Sequence, residues 1–403
     1  MAAMPGKRRF ALCFEGLYYS VVLAFIMGGG ILRGINLLFV LAGMMLGPLI
    51  YNIRMVDLML RRIKVRRILP DGICAGDLLV VEFEAEGIAR RGSSSAILVR
   101  DSIKGTQSAN VPLADAENRP EVFFPHVAAG QKEIQSYQGR LMDRGRYTFG
   151  PFEVSTRFPL GLVKKSITVQ QTEDLIVFPR PGILLPRWKR LSEAQFIGAG
   201  GGRSRQGLVE GDFYGLRDYR KGDSRSWIHW RTSARRNTLA VRQFEQPRSQ
   251  DVALLLDLWL PEQPSDEQRD NIELAISFAA AVAEDLCRQG GNRLGIGVAG
   301  KEVAWKYGIG SRTLLTEIME QLALAEAAAD DQFPTLLEQA LQAIPSGTTT
   351  VVLSTRSVDM RDTDRFAQVW DDPNLRNALR EIHAMEVGSD EFGECFDSDL
   401  MAF

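Results

Sequence analysis

Asp223 and His229 are the residues of this sequence closest to a proton-transfer pair, because a carboxylate can orient an imidazole and the imidazole can then move a proton. They stand six residues apart, and no serine or cysteine in a G-x-S-x-G setting accompanies them as a nucleophile. A lone acid and histidine at that spacing are more often structural. A third chemistry-bearing group is Asp257, which follows the apolar run Val252-Ala253-Leu254-Leu255-Leu256. If that run is a buried strand of an open α/β sheet, Asp257 lies at its carboxyl end, where such sheets hold ligands. A hydrolase-like enzyme using Asp223, His229 or Asp257 is therefore one reading of the chain.

The stretch around the first pair has a different character. Residues 203–248 contain eleven Lys or Arg and five Asp or Glu, with Trp227 and Trp230 interleaved. Cations among aromatic rings suit single-stranded nucleic acid, yet Glu210, Asp212, Asp218 and Asp223 are near enough to pair with several arginines. The expectation is a structural clamp whose indoles anchor the segment to the domain that follows. A protein-binding surface comes next, using Arg217, Tyr219, Asp223, Trp230 and Arg235, and no nucleic-acid partner is expected.

Other motifs fail their context tests. Gly295-Ile296-Gly297-Val298-Ala299-Gly300 matches G-x-G-x-x-G but runs into Lys301-Glu302-Val303 rather than a helix, which argues against dinucleotide binding. No G-x-x-x-x-G-K-[ST] loop is present. Cys13, Cys74, Cys287 and Cys395 lack any C-x-x-C spacing, so neither zinc nor redox chemistry is indicated, and no cofactor is expected. A net charge of -2 gives no global attraction to nucleic acid or anionic lipid.

The elements that must position these residues fall into three patterns. After Asp251 strands and helices alternate: strand 252–256, helix 266–289, strands 293–299 and 302–307, helices 313–329 and 335–344, strand 349–354. That predicts a doubly wound α/β domain. Between residues 63 and 181 short strands are punctuated by Gly and Pro, at 78–84, 95–99, 121–124, 146–154 around Gly150-Pro151, and 174–178, which predicts a small β-sandwich. Residues 196–207 read as a flexible glycine-rich link.

At the N-terminus, residues 16–32 and 37–53 carry no charge and are separated by Arg33-Gly34-Ile35-Asn36. Two such runs predict a transmembrane hairpin in a lipid bilayer. Lys7, Arg8 and Arg9 before it, and Arg54, Arg61, Arg62, Lys64, Arg66 and Arg67 after it, outnumber Arg33 in the turn, which places both ends in the cytoplasm. A cleaved signal peptide is the rival, but a second apolar run followed by a basic cluster is a stop-transfer pattern.

The segment Gly211-Asp212-Phe213-Tyr214-Gly215-Leu216-Arg217-Asp218-Tyr219-Arg220-Lys221-Gly222-Asp223, continuing through Ile228-His229-Trp230 to Ser233-Ala234-Arg235, resembles the signature of the domain of unknown function 58 family. Glu210, Arg217, Tyr219, Gly222-Asp223, Ile228, Trp230 and Ser233-Ala234-Arg235 fall on its pattern, and Arg144-Gly145-Arg146-Tyr147 and the strand running into Asp257 are similar as well. The resemblance implies a bacterial protein with a two-helix anchor and a von Willebrand factor A-like C-terminal domain, whose relatives are associated with MoxR-type AAA+ ATPases. A-type domains often hold a divalent cation through D-x-S-x-S, a threonine and a later aspartate. Here Trp259 and Pro261 occupy the serine positions after Asp257, Thr335 could match the threonine, and Ser354-Thr355-Arg356 stand where the late aspartate is expected, with Thr355 in its place. A hard cation needs several oxygens together, so the metal site reads as dismantled.

The expected organisation is a hairpin anchor at 1–60, a β-sandwich-like domain at 61–190, the linker and signature segment at 191–250, and an A-type α/β domain at 251–403. The expected role is an inner-membrane scaffold that presents its cytoplasmic A-type domain to protein partners.

Overall fold

The computed structural model describes residues 6–89, 92–105, 120–191, 213–220, 223–244, 251–289, 291–345, 347–380 and 382–398. The expected link at 196–207, and Glu210, lie outside the described residues. The chain divides into two compact units, one built from Met1–Arg180 with Leu322–Leu324 and the other from Pro181–Gln321 and Ala325–Phe403.

In the first unit, strand β1 (Gly6–Leu12) precedes two long helices, α1 (Phe14–Arg33) and α2 (Asn36–Arg61). The turn between them uses Gly34 in the left-handed region at φ 63°, where its amide donates to the Gly30 carbonyl and closes α1. The Tyr19 hydroxyl donates to the Met45 carbonyl and ties the helices together. Their apolar side chains mostly face outward, Phe25 being 82% exposed. That is the reverse of a core helix. A helix of twenty residues is about 30 Å long, the thickness of a bilayer's hydrocarbon. By length and composition both helices can cross a membrane.

Helix α2 runs past its apolar stretch because its last turns have a second job. Asn52, Val56, Met59 and Leu60 lie on one helical face and are buried against the β-structure that follows. That structure comprises β2 (Ile63–Ile68), β3 (Ile73–Cys74), β4 (Leu78–Gly87), β5 (Ser94–Arg100), β6 (Ile103–Gly105), β7 (Glu121–Val127), β8 (Lys132–Arg140), β9 (Gly145–Phe149), β10 (Phe152–Thr156), β11 (Val163–Val169) and β12 (Glu173–Phe178). They form sheets ordered β1-β11-β10-β5-β7, β3-β12-β9-β6 and β2-β4-β8 around one apolar core that includes Phe83, Phe124, Phe149 and Phe152. Strict alternation of buried and half-buried residues along β4 marks a strand with one face inward.

Two readings of the N-terminal charges change here. Lys7, Arg8 and Arg9 belong to a strand, paired antiparallel with β11 from Gly6↔Val169 to Leu12↔Val163. The start of the hairpin is thereby fixed to the five-stranded sheet, while β2 after it joins the sheet β2-β4-β8. Arg67, counted from sequence among the membrane-flanking cations, is instead buried, donating to Asp101 Oδ1 at 2.8 Å, to Glu173 at 3.1 Å and to the Phe149 carbonyl at 2.9 Å. The Tyr137 hydroxyl also donates to Asp101, at 3.0 Å. Arg61 pairs with Asp57 on its own helix.

The second unit opens with β13 (Ile183–Leu184) and a helical segment at 186–191. The signature segment contributes β14 (Phe213–Asp218), a single 3₁₀ turn (Arg225–Trp227), helix α3 (Trp230–Arg236) and β15 (Ala240–Phe244). Beyond it lie β16 (Asp251–Asp257), α4 (Asp266–Gln289), β17 (Arg293–Ala299), β18 (Val303–Ile309), α5 (Arg312–Leu324), α6 (Phe333–Ala343), β19 (Thr349–Ser354), α7 (Ala367–Asp371), α8 (Pro373–Leu379), β20 (His383–Glu386), α9 (Asp390–Cys395) and β21 (Phe396–Asp397). The central sheet has the order β18-β17-β16-β19-β20 and is parallel except for the edge strand β18. Its middle strands are buried nearly throughout, as in a sheet covered on both faces.

The G-x-G-x-x-G run lies along β17 and its end. A Cβ on Gly295 would come within 2.4 Å of the Trp305 ring on neighbouring β18, and one on Gly297 within 2.7 Å of Leu336. These glycines make room for side chains, not for a pyrophosphate.

Candidate functional site

Asp257 ends the central strand β16, and β19 runs beside it in register, so Ser354 is its direct neighbour. The chain leaving β19 then curls over the carboxylate. Ser354 Oγ donates to Asp257 Oδ2 at 3.0 Å, and the Thr355 amide donates to the Asp257 carbonyl at 3.1 Å. Arg356 Nε donates to the same Oδ2 at 3.2 Å, as does an Arg365 terminal nitrogen at 3.2 Å. Both guanidiniums reach a second acid, Asp331, which precedes α6: Arg356 at 2.7 Å, and Arg365 through two bonds at 2.7 and 3.0 Å. The result is a closed square of two carboxylates and two guanidiniums with Asp257 innermost, its side chain 3% exposed.

Aromatic rings complete the enclosure. Arg356 stacks over Trp259 at 5.0 Å from the ring centre, and Arg365 over Phe366 at 5.0 Å. Trp259 is fixed by its indole nitrogen, which donates to the Ala329 carbonyl at 2.8 Å, and its own carbonyl accepts from Thr355 Oγ1 at 2.7 Å. Burial pushes the Asp331 carboxyl up, but hydrogen bonds and charge from Arg365 and Arg356 outweigh it and hold the group below its ordinary value. Arg365 is shifted up in return, its bonds to Asp331 and Asp257 overcoming its burial.

Of the positions read from sequence as a metal site, Asp257 and Thr355 thus meet at the sheet's end. Trp259 supplies a ring and a carbonyl. Pro261 is half-buried beyond it, and Thr335 stands exposed in the first turn of α6. Two cations occupy the space beside the carboxylate where a dication would need oxygen donors. Arg356 was visible in the sequence as a neighbour of the late position. Asp331 and Arg365 were not, since only the loops before α6 and before α7 bring them in.

The signature segment folds on itself. Strands β14 and β15 pair antiparallel, and the chain between them is pinned by a fork-to-fork contact in which the Arg217 terminal nitrogens donate to the two Asp223 oxygens at 2.7 Å each. The Arg220 amide adds a third donor to Asp223 at 2.7 Å. The hydrogen bonds from Arg217, then that amide, hold the Asp223 carboxyl below its ordinary value. Tyr219 is half-buried, and its amide donates to the Leu239 carbonyl at 2.8 Å.

His229 does not join Asp223. It caps α3: its Nδ1 accepts from the Thr232 amide at 3.3 Å, and its carbonyl accepts from Ser233. The imidazole and the carboxylate of the sequence-derived pair therefore have separate structural partners. Trp230 departs further from expectation. The clamp reading packs it away, whereas it is 66% exposed, at the head of a helix whose Arg231, Arg235 and Arg236 are also exposed. Trp227 is half-buried, as a clamp requires. One half of the segment is locked by Arg217 and Asp223, and the other half presents an indole among cations.

Residues 215–360, which include most of this hairpin and the Asp257 square apart from Arg365, match the family model described as Protein of unknown function DUF58. This stretch is similar to DUF58 proteins. The chain is also 27% identical over 172 residues to the uncharacterized protein YeaD of Bacillus subtilis strain 168, across 41% of this chain and 39% of that protein. The chain thus spans about two fifths of its curated relative's length. Among solved structures, it resembles the CARDB domain of a Pyrococcus furiosus protein at 14% identity, with a TM-score of 0.19, over 29% of this chain and 94% of that one. The C-terminal domain of wzt gives 8% identity and a TM-score of 0.21 over 28% and 73%. Both likenesses are too slight to bear on the site. The matched stretch begins inside β14, after Glu210 of the sequence pattern, and ends beyond Arg356 but short of Arg365.

Proposed function

We propose that this chain is a membrane-anchored adaptor: the hairpin crosses the cell inner membrane, the soluble units lie on the cytoplasmic side, and the second unit, an A-type domain, recruits a protein partner. The family resemblance points to a MoxR-type AAA+ ATPase acting in assembly or maturation of envelope proteins. The observation that carries the adaptor reading is Trp230, exposed beside Arg231, Arg235 and Arg236, in a segment whose acid Asp223 is already closed by Arg217. Trp and Arg are the side chains that most often dominate protein interfaces. The groups an enzyme would need are spoken for, since Asp257 is closed by Ser354, Arg356 and Arg365, and His229 caps a helix.

Three observations support the anchor. The helices expose apolar side chains over lengths suited to a bilayer. Strand β1 lies ahead of them within a five-stranded sheet, so removing a leader through the first helix would strip a strand from a folded domain. The exposed Lys7, Arg8, Arg9 and Arg66 still outnumber Arg33 at the turn, which supports the cytoplasmic side.

The test is binding of full-length protein in nanodiscs to the host's MoxR-type ATPase, by interferometry, for wild type, Trp230→Ala and Arg235→Glu. A hot-spot tryptophan costs 2 kcal/mol or more, so Trp230→Ala is expected to weaken Kd by roughly 30-fold with the melting temperature unchanged. Equal affinity for all three proteins would remove the signature segment from the interface.

A further inference from the structure

We propose that the loop at residues 157–161 is a second membrane contact beside the hairpin, with Phe158 and Leu160 seated at the boundary between lipid headgroups and acyl chains; this rests on the reading that α1 and α2 cross a bilayer. The loop joins β10 to β11 and ends against the foot of both helices. The amide of Cys13, which caps α1, donates to the Leu162 carbonyl at 3.0 Å, and the Val163 amide donates to Asn52 Oδ1 of α2 at 2.9 Å. Gly16 is buried at the same junction, where a Cβ would come within 1.9 Å of the Leu162 oxygen. Backbone of the loop and first turn of α1 are therefore in direct contact, at the level where the apolar helices leave the sheet. Tyr18 and Tyr51, both exposed, lie at this level on the two helices, and tyrosine favours the membrane–water boundary.

The loop reads Arg157-Phe158-Pro159-Leu160-Gly161. Phe158 is 40% exposed and Leu160 48%, whereas Leu162 and Val163, which follow, are buried. An isolated exposed apolar residue needs no explanation, but these two continue a surface. Leu12, the register partner of Val163, and Phe14, which opens α1, are exposed as well, and they lead into the outward-facing side chains of the hairpin. Exposed Arg157 starts the loop and the exposed acid Glu15 lies in the first turn of α1, while exposed Arg9, Arg8 and Lys7 follow farther back along β1, opposite Ser166, Ile167 and Thr168. An apolar tip backed by an excess of cations on the strand behind it is complementary to the surface of an anionic bilayer. The contact would hold the β-structure of the first unit against the membrane instead of leaving it to pivot on two helices.

The experiment places an environment-sensitive nitrobenzoxadiazole probe at L160C, at F25C in the hairpin or at Q135C on β8, in full-length protein with its native cysteines replaced. Each protein is reconstituted into phosphatidylcholine–phosphatidylglycerol vesicles, and quenching by lipids spin-labelled near the headgroup or deep in the chain is compared. The expected result is deep quenching at 25, shallow quenching with a blue-shifted emission at 160, and none at 135. Quenching at 25 with residue 160 behaving like residue 135 overturns the loop contact while leaving the anchor intact. Absence of quenching at 25 overturns the anchor, and the loop contact with it.

Discussion

Replacing Arg365 with methionine tests whether the charge square at the end of β16 is a structural lock. Methionine keeps an apolar stem but not the guanidinium that lies over Phe333 and Phe366, so what is lost is charge, hydrogen bonding and that cation–ring contact. Three bonds go: one to the nearly buried Asp257 and two to Asp331, whose side chain is 32% exposed. A net hydrogen bond to a buried charged group is worth about 1.5–3 kcal/mol, and the bonds to Asp331 add less because water reaches that acid. Stripping one partner from a fully buried ion pair costs about 3–5 kcal/mol, but Arg356 still faces Asp257 here, so the expected loss is about 2–3 kcal/mol. For a region of this size that corresponds to a fall of about 4–12 °C in Tm. Circular dichroism of the full chain in detergent, following the thermal transition, reads the effect. Asp257→Asn combined with Arg365→Met is expected to recover part of the loss, because a neutral amide strands no charge. A shift below about 2 °C for Arg365→Met, or no recovery in the double variant, would show that the square contributes no coupling and that the reasoning is wrong.

Further expectations follow from the same geometry. Trp230→Ala should leave Tm within the range of an ordinary surface change, about 0.5 kcal/mol, while Arg217→Ala should lower it measurably by breaking the fork on Asp223; the opposite ranking would restore the clamp reading for Trp230. Because the Asp331 carboxyl is held below its ordinary 3.8 when folded, its contribution is present above that value and is lost as pH falls through the depressed one, so the Tm gap between wild type and Asp331→Asn should be constant above about pH 5 and close below about pH 4; a gap unchanged down to about pH 2 contradicts this. With Arg356 and Arg365 beside Asp257, calorimetric titration with Mg²⁺ or Mn²⁺ at millimolar concentration should give no saturable heat, and an isotherm abolished by Asp257→Ala would overturn the dismantled-site argument. A periplasm-active reporter should be active when inserted at Gly34 and silent when fused after Phe403, and activity at Phe403 would reverse the topology.

How legible this was depended on whether the signal was periodic and local. The helix Asp266–Gln289 and the strands Arg293–Ala299 and Thr349–Ser354 have the ends read from sequence, because long amphipathic or β-rich runs carry their own period. Strand β1 was missed since Lys7-Arg8-Arg9 before an apolar run has the composition of a membrane flank, and only the distant β11 makes it a strand. The end of α2 was placed too early, where charge resumes at Arg54, although Asn52, Val56, Met59 and Leu60 already carry the helical spacing that continues it. In the candidate site, the cation beside Asp257 could be read at Arg356, whereas Asp331 and Arg365 are brought in by loops that composition does not position. Trp230 was misjudged because large aromatic rings are usually packed away, and an exposed one gives no sign of itself in sequence.

The pairing of β1 with β11 also sets an order of assembly. Residues 6–12 are made before both long helices, yet their partners, beginning with Val163 opposite Leu12, are made only after those helices and most of the strands. Contacts so distant along the chain form late, since a large loop must close before they gain anything. During synthesis the nascent sheet has an open edge, and the strand that will seal it is tethered to the hairpin. The five-stranded sheet therefore finishes only after the apolar helices have already been available for insertion, when β11 recaptures a strand made before them.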